Sequence, residues 1–165
     1  MGEVARMAMN DNTLRVKEFI RSRGVEAEIV TFDKSTRTSE LAAKTIGCEV
    51  AQIAKSLVFI VDYQQPILVI ASGPNRVDTK KLAERVGKAN VKIADAKTVK
   101  QLTGFPVGGV PPVAHHTQLR TILDPALMRF QVVYAAAGTP NTVFGIDPKK
   151  LKELTGGEFA EVFQH

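Results

Sequence analysis

The stretch Lys55-Ser-Leu-Val-Phe-Ile-Val-Asp62, followed by Tyr63-Gln-Gln-Pro66 and Ile67-Leu-Val-Ile-Ala71, decides the fold class. Two runs rich in β-branched and aromatic residues flank a short polar turn, which is the pattern of a β-hairpin. Both runs are nearly continuous in apolar residues, so both strands are predicted to be central and covered on each face. Lys55 opens the first run. The two-residue period of a strand puts it on the face of Leu57, Phe59 and Val61.

Outward from this hairpin the chain mixes helices and strands. Upstream, Val16, Phe19 and Ile20 recur at helical spacing, behind cap candidates Asp11-Asn12-Thr13 and before Gly24, which predicts a helix near Thr13–Arg23. Glu26–Phe32 reads as a strand. Thr38-Ser39-Glu40 opens a second helix with Leu41, Ala42, Thr45 and Ile46 inward and Gly47 at its end. Val50–Ala54 adds one turn. Downstream, Ser72-Gly-Pro-Asn75 breaks the sheet, and Asp78 caps a third helix bearing Leu82, Ala83 and Val86. Val91–Ala94 reads as a strand and Lys97–Leu102 as a short helix. Thr121–Leu123, Gln131–Ala136 and Val143–Ile146 read as strands, Asp147-Pro148 starts a last helix, and Glu158–Val162 reads as a final strand. There is no strict alternation and no repeat. The expected class is α+β (mixed α/β), with one sheet.

The 165 residues suit one domain, expected at 13–165 behind a flexible leader at 1–12. Apolar residues at 44% and charged residues at 24% exclude a disordered chain and a coiled coil. The longest apolar runs fall far short of the ~20 residues a membrane span needs. The N-terminus carries no secretory pattern, and a lone Cys48 cannot form an internal disulfide. A cytoplasmic location and no membrane partner are the expectations. A net charge of +5 biases the protein mildly toward anionic partners such as nucleic acid.

Three features can carry chemistry. Lys55 either snorkels from the strand end or points its ammonium into a polar pocket, since a lysine is almost never buried without a partner. Gly104-Phe-Pro-Val-Gly-Gly-Val-Pro-Pro112 cannot be regular structure. It is either a surface connection or a stiffened loop whose Gly108 and Gly109 amides are held ready for a carbonyl. His115-His116 lack a ligand cluster, so no metal is expected. A Gly-Lys-Ser/Thr phosphate loop and a Gly-x-Ser-x-Gly nucleophile are both absent. Cys48 has no adjacent base and reads as an idle thiol.

Taken in order, Lys55-Ser-Leu-Val-Phe, Ala71-Ser-Gly-Pro-Asn-Arg-Val-Asp78, Thr103-Gly-Phe-Pro-Val-Gly-Gly-Val-Pro-Pro112 and Ala137-Gly-Thr139 resemble the YbaK/ProX-type aminoacyl-tRNA deacylases. These are relatives of the editing insertion domain of bacterial prolyl-tRNA synthetase. The resemblance runs from about Thr13 to the C-terminus and implies a curved mixed sheet flanked by helices. It implies cleavage of the ester in a mischarged tRNA, typically of the proline type, without a cofactor. The family's key lysine falls on Lys55, its Gly-x-x-x-Pro loop on Gly108–Pro112, and its late glycine on Gly138. The implied substrate-binding set is Phe32, Ser72, Gly73, Asn75, Gly108, Gly109, Pro112, His115, Gly138 and Thr139. The Ser72–Asp78 segment is closer to the ProX branch than to the branch specific for cysteinyl-tRNA. Some members carry a tyrosine at the end of the first strand, where this chain has Phe32. The implied partner is the acceptor end of an aminoacyl-tRNA, with prolyl-tRNA synthetase as a second candidate; monomer and homodimer both stay open. A non-catalytic module that binds tRNA or a synthetase is the competing class.

Overall fold

The hairpin is the centre of the molecule. In a computed structural model, which describes residues 10–165, β2 (Ile53–Val61) and β3 (Gln65–Ser72) pair antiparallel from Ala54↔Ser72 to Val61↔Gln65. Around them β1 (Ile29–Thr31), β4 (Val91–Ile93), β5 (Arg120–Leu123), β6 (Val133–Ala136), β7 (Thr142–Ile146) and β8 (Glu158–Phe159) complete one mixed sheet. Its order is β1-β7-β6-β2-β3-β5-β8, with β4 added on β2 beyond the end of β6. The β2/β6, β3/β5 and β5/β8 pairs are parallel and the others antiparallel.

Alternation along the hairpin sends its side chains into two cores, as a central pair requires. Ala54, Val58, Leu68 and Ile70 join Val16 and Ile20 of α1 (Asp11–Ser22), Phe144, and Leu151 and Leu154 of α5 (Pro148–Thr155). Phe59, Val61, Ile67, Val69 and Ala71 pack with Leu82 of α3 (Thr79–Val86), Ile122 and Phe163. Ile53 forms a third, smaller cluster with Ala42 and Ala43 of α2 (Ser39–Ile46).

The helices start and stop where their caps dictate. Asp78 accepts from Lys80 N and Lys81 N, Asp147 accepts from Lys149 N, and Asp95 accepts from Thr98 N at the start of α4 (Ala96–Thr103). Asn10, rather than a residue of Asp11–Thr13, caps α1, so Asp11 and Asn12 lie within the helix. Residues 1–9 of the expected leader lie outside the described residues.

Leu41 departs from its expected inward position and is 42% exposed. The buried face of α2 is Ser39, Ala42 and Ala43, whose small side chains let the helix lie close on Ile53. The last strand is two residues long rather than five. Beyond Phe159 the Ala160 N–H still donates to the Leu123 carbonyl of β5, and the chain then runs beside the segment after β3, through the Val77↔Phe163 bridge and the Asp78 N–H donating to the Val162 carbonyl. A short 3-10 turn, Pro125–Arg129, follows β5 where no element was expected; Asp124 caps it.

Candidate active site

Lys55 lies where β2 loses a neighbour. On the edge of β2 away from β3, Ile53 and Ala54 pair with β6 and Phe59–Val61 pair with β4, which leaves Lys55–Val58 without a strand partner there; of these four residues Val58 alone is held, by the Ala94 N–H at its carbonyl. A cavity of about 540 Å³ opens at this gap. Because it wraps the open edge, it meets residues of both faces of β2, Lys55 and Leu57 as well as Ala54 and Ser56. Its other walls are the first turn of α2 with Thr36–Thr38, the Val107–Gly108 turn, and Tyr134, Ala135 and Val143 from β6 and β7.

Of the two positions open to Lys55, the pocket is the one occupied. The side chain is half-buried, and Nζ donates to the Gly73 carbonyl at 3.0 Å. No carboxylate lies within ion-pair distance of it among the described residues. Burial holds its pKa below the ordinary lysine value; Glu40 and Asp124 pull it back up and Arg76 pushes it further down. Gly73 itself is required by space, because a Cβ there would collide with the Val50 carbonyl.

The turn holding Gly73 is fixed from below by Asp124, a residue the sequence reading did not single out. Its buried carboxylate accepts from Ser72 N at 3.0 Å and Asn75 Nδ2 at 2.8 Å, and from Ala126 N at 2.9 Å. Ser72 Oγ donates to the Ala51 carbonyl at 2.6 Å. Ser72 and Asn75 therefore do not line the cavity; they hold the carbonyl that positions the lysine. The Asp-Pro pair at 124–125 was the available signal, since it marks a cap.

The glycine-proline loop divides similarly. Gly108 lines the cavity at φ +89°, against Arg37, and its N–H donates to no acceptor among the described residues. Gly109 donates its N–H to the Pro106 carbonyl at 3.0 Å, so the expected pair of ready amides reduces to one. A Cβ on Gly109 would come within 2.8 Å of the Thr139 backbone, and the two loops pack through that glycine. Gly138 and Thr139 line a separate polar pocket on the far side of this contact, beside Asn12 and Thr13. His115 bonds the Pro111 carbonyl through Nε2 at 2.7 Å, which requires that nitrogen to carry the proton. Burial pushes the His115 pKa down, and the ring stands edge-on to Phe105, which in turn carries the Arg15 guanidinium 4.4 Å from its centroid. His115 and buried Pro112 thus brace the loop away from the cavity.

Phe32 also lies outside the cavity; its main chain exchanges hydrogen bonds with Asn141. Tyr134, on β6, stands on the cavity wall instead. Its only sequence signal was its position between Val133 and Ala135, which face the opposite core. Cys48 packs beside Ala42 and Ala43, away from the cavity, and burial pushes its thiol pKa up. Among the described residues no three His, Cys, Asp or Glu side chains cluster as metal ligands, and no helix is long and apolar enough to cross a membrane.

Comparison with known proteins shows the family. Residues 33–154 match the family model of the aminoacyl-tRNA editing domain. The uncharacterised protein YwhH of Bacillus subtilis is 35% identical over 130 residues, which cover 79% of this chain and 82% of that protein. The multifunctional Ser/Thr-tRNA deacylase ProXp-y of Escherichia coli K12 is 28% identical over 128 residues, 75% of this chain and 76% of its own. A crystal structure described as that of a candidate trans-editing enzyme for prolyl tRNA synthetase superposes with a TM-score of 0.89 at 39% identity. It covers 96% of this chain and 100% of that one. With one mixed sheet flanked by helices, a family match over residues 33–154 and a superposition over nearly its whole length, this chain belongs to the aminoacyl-tRNA editing domain family.

Proposed function

We propose that the protein is a trans-editing deacylase for proline tRNA carrying a small wrong amino acid, such as alanine or cysteine. The observation that carries this reading is a half-buried ammonium, with no carboxylate in ion-pair distance among the described residues, on the wall of a cavity that sets Ala42, Ile53, Ala135 and Val143 beside Arg37 and Glu40. Those walls suit a short side chain. The ammonium suits the ester carbonyl or the phosphate of the terminal nucleotide, and the Gly108 N–H is a second donor for a developing oxyanion.

Hydrolysis is attack by water on the ester carbonyl carbon, followed by loss of the ribose oxygen, giving the free amino acid and uncharged tRNA. Among the described residues the cavity lining holds no cysteine, and it holds no histidine to act as the base that would activate its serine and threonine hydroxyls. The substrate supplies the missing group: the ribose 2′-hydroxyl orients the water, or, for a cysteinyl ester, the substrate thiol gives up its proton and attacks the carbonyl, the ribose oxygen leaves and takes a proton, and water then opens the resulting thiolactone to free cysteine. The protein contributes positioning and electrostatics.

The test is single-turnover deacylation of proline tRNA charged with alanine, cysteine or proline, beside seryl- and threonyl-tRNA. Rapid loss of alanine or cysteine with proline spared is expected. Loss only from seryl- or threonyl-tRNA would move the substrate to the class named for the E. coli relative. No loss above spontaneous hydrolysis, with tRNA still bound, would make the protein a binding module.

A further inference from the structure

The open edge of β2 carries chemistry that ester cleavage at Lys55 leaves unused. Main-chain groups on an antiparallel strand alternate between its two edges. Ile70, the β3 partner of Ser56, spends its carbonyl on Asp124 N toward β5, and Val58 accepts from Ala94 N on the β4 side. Ser56 and Val58 therefore turn their main-chain groups away from β3, into the gap. The Ser56 C=O and the Val58 N–H form an acceptor and a donor, two residues apart, with no partner in the ladder. Val58 is buried, and an unpaired buried N–H is costly unless a ligand takes it. The Ser56 hydroxyl is likewise buried without a partner.

A cleft of about 80 Å³ lies against these groups, walled by Ile93, Ala94 and Val99, and shares Ser56, Leu57, Val107, Gly108 and Val110 with the main cavity. Two of its walls are unusually open for their type: Val107 is 57% and Ile93 64% exposed.

Building on the editing reading above, we propose that this edge is the slot for the adenine base at the 3′ end of the tRNA. Adenine presents an amino donor beside a ring-nitrogen acceptor on one edge, which is the complement of the Ser56 C=O and Val58 N–H. The cleft admits that edge, and the exposed faces of Val107 and Ile93 give apolar surface to the ring. The ribose then points from the cleft toward the cavity, and the ester lies there beside Lys55. An extended peptide fits less well, because the open edge spans only Lys55–Val58 and offers one acceptor–donor step rather than a ladder.

Hypoxanthine reverses the donor and acceptor on the same edge, so the test uses it as the control. In amide spectra of the full chain, AMP is expected to shift the Val58 N–H while IMP leaves it at rest. Replacing the terminal adenosine of a mischarged tRNA by inosine is expected to slow single-turnover deacylation at least tenfold. Val107→Glu, at an exposed position, is expected to abolish the AMP shift without lowering the melting temperature. An equal response of Val58 to IMP, or undiminished deacylation of the inosine-ended tRNA, overturns the proposal. So does a Val58 shift seen only with peptides. Deacylation without any AMP response at Val58 removes the slot alone; an AMP response in a protein that deacylates no tRNA keeps the slot and removes the editing reading.

Discussion

The two halves of β2 share one partner and differ in everything else. Along Phe59–Val61 the strand has β3 on one edge and β4 on the other, and Phe59 and Val61 are buried in an apolar cluster with Ile67, Val69 and Leu82. Along Lys55–Val58 β3 is the one strand partner, with a single further bond from Ala94 N to the Val58 carbonyl, and Lys55 and Ser56 replace apolar neighbours beside a cavity. The closed half contributes stability through buried area. The open half holds polar groups whose partners the protein does not provide, which is a cost to folding and a resource for binding. One strand therefore separates the two tasks along its length, and the separation comes from where its second neighbours stop.

Cutting into the closed half gives the largest expected effect. Phe59→Ala is expected to lower stability by about 3–5 kcal/mol, as large-to-small changes in cores do. Denaturant unfolding measures it, and deacylation per folded molecule is expected to stay near wild type. An equal loss in specific activity would show that the halves are not separable.

Lys55→Ala reverses that pattern. Deacylation is expected to fall at least ~10²-fold, about 2.7 kcal/mol of transition-state stabilisation, with the melting temperature held or raised. Lys55→Arg is expected to rescue only in part, because a planar guanidinium does not replace a compact ammonium. A near-wild-type single-turnover rate for Lys55→Ala would falsify the assignment of the cavity as the active site.

The pH dependence of stability sharpens the same point. Because burial lowers the Lys55 pKa in the folded protein, the unfolded chain binds more protons between that value and the ordinary lysine value. Stability therefore rises with pH across this window, and the cost of the buried charge is fully present below it. Lys55→Met is expected to melt higher than wild type at neutral pH, with the difference shrinking as pH approaches the ordinary lysine value. A difference that grows with pH would mean the ammonium is stabilised in the fold.

Cys48→Ala gives the smallest effect. The thiol lies outside the cavity and its pKa is raised, so deacylation is expected to stay within about threefold, less than ~1 kcal/mol of barrier. A hundredfold loss in a kinetic assay would return covalent catalysis to consideration.

Much of the fold was legible because it rests on local rules. The apolar runs of β2 and β3, the caps Asp78 and Asp147, and the stop at Gly47 each act over a few residues. Leu41 was misread because helical periodicity weighs hydrophobicity, whereas α2 needed small residues to approach Ile53. At the site, Lys55, Gly73 and Gly108 were named from the sequence and meet in one cavity, while Ser72, Asn75, Pro112 and His115 stand behind it as braces. Gly109 was read as a donor, and only the turn geometry shows its N–H already used.

The sequence by itself determined that a lysine opens a central strand, that a stiff glycine-proline loop lies downstream, and that both recur in the order of one family. Those are properties of residue type and spacing along a single chain. The tertiary structure alone decided that the pairing of β2 with β6 stops at Ala54 and its pairing with β4 starts at Phe59, that Asp124 fixes the turn under Lys55, and that Tyr134 joins the cavity wall. Each depends on segments tens of residues apart meeting in register, and no local propensity sets where one strand's neighbour stops and the next begins.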